Sequence, residues 1–154
     1  MDGRDYFFIS ETEFQERINQ GEFAEWEENY GNYYGTSGKM MDGFLEQGRD
    51  MILDIEPRGA KTLKKNYQGG IYVFVLPPSL AALKERLQKR GESDAEIKKR
   101  LDKVREEIDE AVGYDYIIIN DVLEKAVEHL QAIYRVEKSR AARMKRQIQY
   151  VLNH

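Results

Sequence analysis

The sequence contains no cysteine and only two histidines in 154 residues. Disulfide bonds and thiolate metal sites are therefore excluded. No uninterrupted apolar stretch approaches the roughly 20 residues that a membrane-spanning helix needs. The first residues, MDGRDYFF, lack the apolar core of a secretory signal. These absences predict a cytoplasmic protein without a membrane-bound segment.

Charge is moderate and nearly balanced. Charged residues make up 34% of the chain and hydrophobic residues 41%, and the net charge is −4. This length is sufficient for one domain with a hydrophobic core. The slightly acidic balance gives no reason to expect a nucleic-acid partner. No pattern in the sequence defines an oligomeric state.

Residues 134–154 form the one basic stretch. Apolar residues recur there at helical spacing, which predicts a C-terminal helical extension. Its other face carries Arg135, Lys138, Arg140, Arg143, Lys145 and Arg146. We interpret these side chains as a solvated helix face. The alternative, a contact with nucleic acid, predicts a salt-sensitive affinity that disappears when residues 138–154 are deleted.

Three short apolar runs predict strands that are buried on both faces: MILDI (51–55), IYVFVL (71–76) and YIIIN (116–120). None alternates between apolar and polar residues, which is typical of parallel sheets. Helical patterns lie between these runs, and one of them follows Ser93 and Glu96, which have the spacing of a capping box. Alternation of strands and helices predicts a parallel α/β sheet.

The first third of the chain has a different pattern. DYFFIS (5–10) predicts a strand, and Ser10 with Glu13 predicts a capped helix that ends near Gln20. EFAEWEE (22–28) and NYYGTS (32–37) predict two further strands. We expect a small mixed sheet with one helix, inserted beside the parallel core.

The stretch GNYYGTSGK (31–39) is the closest approach to a phosphate-binding loop. A Walker A loop needs G-x-x-x-x-G-K-S/T between a buried strand and a helix. Counting back from Gly38 and Lys39 places Tyr33 at the first glycine, and Met40 follows the lysine. The preceding segment is acidic rather than a buried strand. The stretch therefore fails as a phosphate loop, and no other G-x-x-x-x-G-K occurs in the sequence.

Two interpretations of this stretch remain open from the residues alone. Its tyrosines could pack on a small core. Alternatively, a tyrosine hydroxyl and Thr36 could bind a polar ligand, with Glu25 accepting hydrogen bonds from ring N–H groups.

Six segments together resemble the guanylate kinase family in order and spacing over residues 2–137. They are DGRDYFFIS, GEFAEWEENYGNYYGTS, MILDIEPRGA, VFVLPPS, LQKRGESDAEIKKRL and YDYIIIND. The resemblance implies an α/β fold: a parallel P-loop kinase core sheet, incomplete here, flanked by helices, with a small mixed α+β GMP-binding insertion and a helical lid. Within a single domain, the insertion would span residues 4–38, the core 39–78 and 114–137, the lid 79–113 and the basic extension 138–154.

The resemblance also implies a GMP site. Glu25 matches the carboxylate that accepts from guanine N1–H and the exocyclic amine, and Thr36 matches the hydroxyl that contacts O6. Tyr6 and Tyr34 match the tyrosines that bind the GMP phosphate. Glu56, where the family more often has aspartate, belongs to the same substrate set.

Catalytic and ATP-binding positions are implied as well. Asp54, Arg86, Arg90 and Arg100 match catalytic positions, and the arginines supply charge neutralisation to a moving phosphoryl group. Arg86, Arg90 and Asn120 match ATP-binding positions, whereas Val122 stands where the family often has a second acidic residue. Mg²⁺ is expected with ATP, and no metal-ligating residue is named.

Several family segments have no counterpart in this sequence: the Walker A loop with its lysine and magnesium-binding hydroxyl, and two arginines that grip the GMP phosphate. We therefore expect in-frame coding sequence for G-x-x-G-x-G-K-S/T upstream of Met1. Residues 1–154 alone are expected to show no turnover in an ADP-release assay and to be unstable or prone to aggregation.

Three functions remain as alternatives. The first is guanylate kinase, the ATP-dependent phosphorylation of GMP to GDP in purine nucleotide metabolism. The second is a non-catalytic guanylate-kinase-like module that binds GMP or phosphopeptides. The third is nucleic-acid binding by the basic extension. Retention of the nucleotide-handling set favours the first over the second: Glu25, Thr36, Arg86, Arg90 and Asn120.

Overall fold

A computed structural model describes residues 6–29 and 31–154 of the chain. The chain divides into two compact units, Met1–Ile71 and Tyr72–His154. Each unit has its own small sheet, one antiparallel and one parallel. Within the described residues, no helix is long and apolar enough to cross a membrane.

The first unit begins with helix α1 (Glu11–Asn19), whose N-cap Ser10 accepts a hydrogen bond from the Glu13 N–H. The two predicted strands follow, β1 (Phe23–Asn29) and β2 (Asn32–Ser37), and they pair as an antiparallel hairpin. Gly31 in the connecting turn has a φ of 78°, which a glycine adopts without steric cost. Helices α2 (Gly38–Glu46) and α3 (Pro57–Asn66) complete the unit.

An aromatic cluster joins α1 to the hairpin. The ring of Phe14 stacks on Phe23 at a centroid distance of 4.4 Å and on Tyr33 at 5.4 Å. On α3, the small residues Gly59 and Ala60 are buried and allow the helix to pack closely on β1. Helices α1 and α3 therefore both pack on the hairpin, and these contacts position the residues of β1.

The second unit contains the parallel pair that the apolar runs predict. Strand β3 (Val73–Leu76) pairs with β4 (Tyr116–Ile119), with Val73 opposite Tyr116. Between them lie α4 (Leu80–Lys89), α5 (Asp94–Glu107) and a 3₁₀ helix (Ile108–Gly113). Helix α6 (Leu123–Lys138) and helix α7 (Lys145–Asn153) follow β4. The hydrophobic core of the second unit includes Leu87, Ile97, Ala111, Ile118 and Ala126.

The predicted capping box of α5 is confirmed in both halves. Ser93 Oγ accepts from the Glu96 N–H, and the Glu96 carboxylate accepts from the Ser93 N–H at 2.8 Å. At the C-terminal end of the chain, the predicted helical stripe is interrupted. Residues 139–144 separate α6 from α7, so the basic stretch 134–154 is divided between the end of α6 and the separate helix α7.

Two predicted strands are wrong. Residues 51–55 form no strand, and Ile52 is 82% exposed. The segment lies outside both sheets of the described chain, so it has no ladder that would hold its apolar side chains in a core. Residues 7–10 form no strand either, and only an isolated bridge occurs at Tyr6. Phe7 and Phe8 are correspondingly 62% and 74% exposed.

Candidate functional site

A pocket of about 310 Å³ opens in the first unit beside the β1–β2 hairpin. It is lined by Tyr6, Glu25, Glu27, Asn29, Tyr34, Gly35, Thr36, Asp54, Ile55 and Glu56. All five residues that the sequence predicts for substrate binding are among them, together with Asp54. The structure thus brings together side chains that are up to 50 positions apart, from Tyr6 to Glu56.

Glu25 is the most buried polar residue of the pocket, with 5% of its surface exposed. It lies opposite Thr36 in the hairpin register, and Thr36 Oγ1 donates a hydrogen bond of 2.5 Å to Glu25 Oε1. Burial raises the pKa of Glu25 above 4.5, the Thr36 hydroxyl counteracts this, and the nearby charge of Glu27 adds to it. A carboxylate and a hydroxyl therefore stand side by side at the base of the pocket.

Four pocket residues were missed by sequence reasoning, and two of them, Glu27 and Asn29, have polar side chains. They lie on β1 at two-residue spacing from Glu25, and a strand places such residues on one face. Asn29 Nδ2 donates a 2.7 Å hydrogen bond to Glu56 Oε1, which orients that carboxylate. Glu27 Oε2 is buried without a hydrogen-bond partner among the described residues. The strand alternation was the signal that could have identified both.

Ser37 and Lys39, at the end of the stretch 31–39 that fails as a phosphate loop, do not line the pocket. Ser37 is the N-cap of α2, where its Oγ accepts from the Met40 N–H at 3.4 Å. Lys39 is exposed on the first turn of that helix. The segment enters α2 from an antiparallel strand of the hairpin, so its rejection as a Walker A loop agrees with the fold.

The second unit contains the predicted arginines and Asn120. Arg86 on α4 donates to the carbonyl oxygens of Asn120 at 2.8 Å and Asp121 at 2.9 Å, directly after β4. Arg86 and Asn120 are therefore brought together. Arg90 is the exposed C-cap of α4. Arg100 on α5 forms an ion pair with Glu92 at 2.9 Å rather than with another member of the predicted set.

Among the described residues, no group of three or more histidine or acidic side chains is arranged to hold a metal ion. The pocket nevertheless carries four carboxylates, those of Glu25, Glu27, Asp54 and Glu56. Such a site can accept hydrogen bonds from a ligand with several N–H or O–H donors.

Comparison with known proteins places this geometry in a family. The guanylate kinase family model matches residues 1–137. Over 153 residues the chain is 80% identical to a guanylate kinase of Syntrophus aciditrophicus, covering 99% of this chain and 74% of that protein. It is 46% identical over 143 residues to a guanylate kinase of Geobacter metallireducens, covering 92% and 70% of the two chains.

A solved structure agrees with these relatives. The crystal structure of guanylate kinase from Anaplasma phagocytophilum matches with a TM-score of 0.76 at 28% identity. The match covers 93% of this chain and 70% of that one. The family model, the sequence similarity and the shared α/β fold agree, and the chain therefore belongs to the guanylate kinase family.

Proposed function

We propose that the pocket of the first unit binds GMP, as the acceptor site of an enzyme that transfers the γ-phosphoryl group of ATP to GMP and forms GDP. The observation that carries the proposal is the pair formed by the buried Glu25 carboxylate and the Thr36 hydroxyl. Family membership supports the same substrate.

The pair matches the hydrogen-bonding edge of guanine. Guanine presents two adjacent donors, N1–H and the exocyclic amine, and beside them the acceptor O6. A carboxylate accepts from the donor pair, and a hydroxyl donates to O6. Adenine lacks the donor pair on this edge, so a buried carboxylate would be left without partners in its presence. Glu25 and Thr36, now bonded to each other, would exchange that bond for contacts with the base.

The remaining pocket residues complete the proposed site. Tyr6 and Tyr34 are about half exposed, and their hydroxyls can donate to phosphate oxygens without adding charge. Glu56, held by Asn29, would accept from a further ligand donor. Asp54 is exposed at the pocket wall and is proposed as a catalytic carboxylate.

We assign the ATP side to the second unit. Arg86 and Arg90 lie four residues apart on α4, and Arg100 lies on α5. Guanidinium groups neutralise the charge that spreads over a transferring phosphoryl group. Asn120 is proposed to contact the adenine of ATP, with Arg86 holding the backbone of its loop through two hydrogen bonds.

Mg²⁺ is proposed to enter with ATP. The described residues form no preassembled metal cluster, which fits an ion that takes most of its ligands from nucleotide phosphates, water and one or two carboxylates. When bound, Mg²⁺ neutralises phosphate charge. The role of the protein chain is to hold and orient the two nucleotides.

The proposed division within the domain is residues 4–38 for GMP binding, 39–78 and 114–137 for the core, 79–113 for the lid and 138–154 for the basic extension. The sequence contains no G-x-x-x-x-G-K-S/T motif. In P-loop kinases that loop cradles the phosphates of ATP during phosphoryl transfer. We therefore expect residues 1–154 by themselves to bind GMP without converting it.

Calorimetric titration of the chain with GMP and with AMP tests the acceptor site. Glu25→Ala is expected to weaken GMP binding about ten- to hundredfold, the loss that follows removal of a charged hydrogen-bond acceptor. Glu28→Ala is the matched control, because Glu28 is an exposed residue of the same strand. It should leave the affinity within about twofold of the original.

Other results would contradict the proposal. Equal affinities of the unaltered chain for GMP and AMP would show that the pocket does not select guanine. An unchanged affinity of the Glu25→Ala variant for GMP would show that Glu25 does not bind GMP. Binding of a phosphopeptide that survives Glu25→Ala would favour a non-catalytic binding module instead.

A further inference from the structure

Gly59, in the first turn of α3, lies directly against the carboxylate of Glu25. A Cβ atom added at Gly59 would stand 2.5 Å from Glu25 Oε2, 3.3 Å from Cδ and 3.7 Å from Cγ. Separations near 2.5 Å lie well inside van der Waals contact, whereas carbon and its neighbours prefer about 3.5–4.0 Å. A side chain at position 59 and the present position of Glu25 therefore exclude each other.

The Glu25 side chain has little freedom to move aside. It is 5% exposed, and Oε1 is held by the Thr36 hydroxyl at 2.5 Å. Residues Gly59, Ala60 and Leu63 are buried on the face of α3 that packs against β1. Relief of a clash would require either loss of the Thr36 hydrogen bond or displacement of α3 from β1.

Backbone conformation does not account for this glycine. The glycines with positive φ among the described residues are Gly21, Gly31, Gly48 and Gly91, and Gly59 is not among them. In a helix, glycine is normally less favourable than alanine because its backbone loses more entropy. Space for the carboxylate is the remaining reason for glycine at this position.

We propose that Gly59 is a positioning residue for Glu25, and through it a determinant of guanine specificity. Because residue 59 has no side chain, Glu25 Oε2 can occupy the space beside it. The carboxylate can then face the pocket while Glu25 Oε1 stays beside Thr36. Any larger residue at 59 displaces the acceptor of the guanine donor pair. The link to specificity rests on the proposed GMP site, whereas the link between Gly59 and Glu25 does not.

The test compares Gly59→Ala, Glu25→Ala and the double variant with the unaltered chain. Gly43→Ala is the matched control, because Gly43 lies within helix α2 and an added Cβ there meets nothing within 4 Å. Each protein is titrated with GMP and with IMP, which lacks the exocyclic amine, and its thermal unfolding is followed by circular dichroism.

Gly59→Ala is expected to weaken GMP binding about ten- to hundredfold and IMP binding by less, so that discrimination between them falls. Its Tm should drop, while Gly43→Ala should keep or raise the Tm. In the Glu25→Ala background the added methyl group has room, so the double variant should unfold no earlier than Glu25→Ala alone.

Two outcomes would overturn the proposal. One is a Gly59→Ala protein with unchanged GMP affinity and unchanged discrimination against IMP. The other is a loss of stability in Gly59→Ala that persists fully in the double variant, since it would place the clash elsewhere. If Gly59→Ala fails to fold, folding of the double variant supports the proposal and its failure contradicts it. If the unaltered chain binds no GMP, the proposed function fails, and the unfolding data still decide whether Gly59 positions Glu25.

Discussion

At the scale of single residues, the chemistry of the pocket depends on a carboxylate that is kept out of water. Burial is the largest influence on Glu25 and raises its pKa. The hydrogen bond from Thr36 lowers the pKa, and repulsion from the Glu27 charge raises it again. The folded protein therefore holds a proton on Glu25 more tightly than the unfolded chain does.

This difference predicts how stability varies with pH. The contribution of Glu25 to the stability of the fold is fully present below its ordinary pKa of 4.5. That contribution is lost as the pH rises from there through the higher pKa of Glu25 in the folded protein. Glu25→Gln removes the titration and keeps the shape. The variant should gain stability relative to the unaltered chain as the pH increases across that window.

Urea unfolding in steps from about pH 4 to about pH 8 measures the effect. Glu28→Gln, at an exposed position of β1, serves as the control with no expected gain. A stability difference between Glu25→Gln and the unaltered chain that stays constant over this range would show that Glu25 does not titrate differently on folding.

At the scale of elements, serine caps define where several helices begin. Ser10, Ser37, Ser79 and Ser93 each accept a hydrogen bond from a backbone N–H in the first turn. Only Ser93 has both halves of a capping box described, through Glu96. Helix α5, which carries Arg100, packs on α4, so its start is important to the placement of the proposed lid residues.

Ser93→Ala is expected to lower the free energy of unfolding by about 1 kcal/mol, because the Glu96 N–H loses the hydroxyl that accepts its hydrogen bond and the Glu96 carboxylate loses the hydroxyl that donates to it. Denaturant unfolding at neutral pH measures the loss. Ser139→Ala is a suitable control, since Ser139 is the C-cap of α6 and its hydroxyl donates to the Arg135 carbonyl at 3.2 Å rather than accepting from an N-terminal N–H. A loss in Ser139→Ala as large as that in Ser93→Ala would argue against the capping explanation.

At the scale of the whole molecule, the described chain has two sheets of two strands each. Two-stranded sheets are marginal in water unless helices cover them. Several large apolar side chains are exposed, among them Ile52 at 82% and Val112 at 88%. No large side chain of the described residues is less than 2% exposed, so the apolar cores are small.

We therefore expect residues 1–154 to have an unfolding free energy at or below the lower end of the usual range of about 5–15 kcal/mol, and to aggregate at high concentration. Thermal unfolding by circular dichroism, together with light scattering after size exclusion, tests this. A soluble monomer with one cooperative transition and ordinary stability would contradict it.

The sequence by itself determined the local features. Serine caps and helical spacing act within about four residues, so the starts of α1 and α5 follow from them. Alternation of apolar and acidic residues predicted β1, and β2 was predicted as the next strand of a small mixed sheet. Continuous apolar runs predicted β3 and β4 as strands of a parallel sheet. The resemblance to the guanylate kinase family predicted that Glu25, Thr36, Tyr6 and Tyr34 share a site, whereas the residues alone left open whether the tyrosines of residues 31–39 pack on a small core.

The tertiary structure decided what depends on distant neighbours. Residues 51–55 contain four apolar residues, as β3 does, but a strand exists only where a partner completes its ladder. The Asn29–Glu56 and Arg86–Asn120 contacts join residues 27 and 34 positions apart, and no local pattern specifies them. The proposed role of Gly59, to leave space for the Glu25 carboxylate, exists only because α3 packs on β1 at that carboxylate. Short-range energies are encoded in neighbouring residues, whereas close packing between elements depends on the fold as a whole.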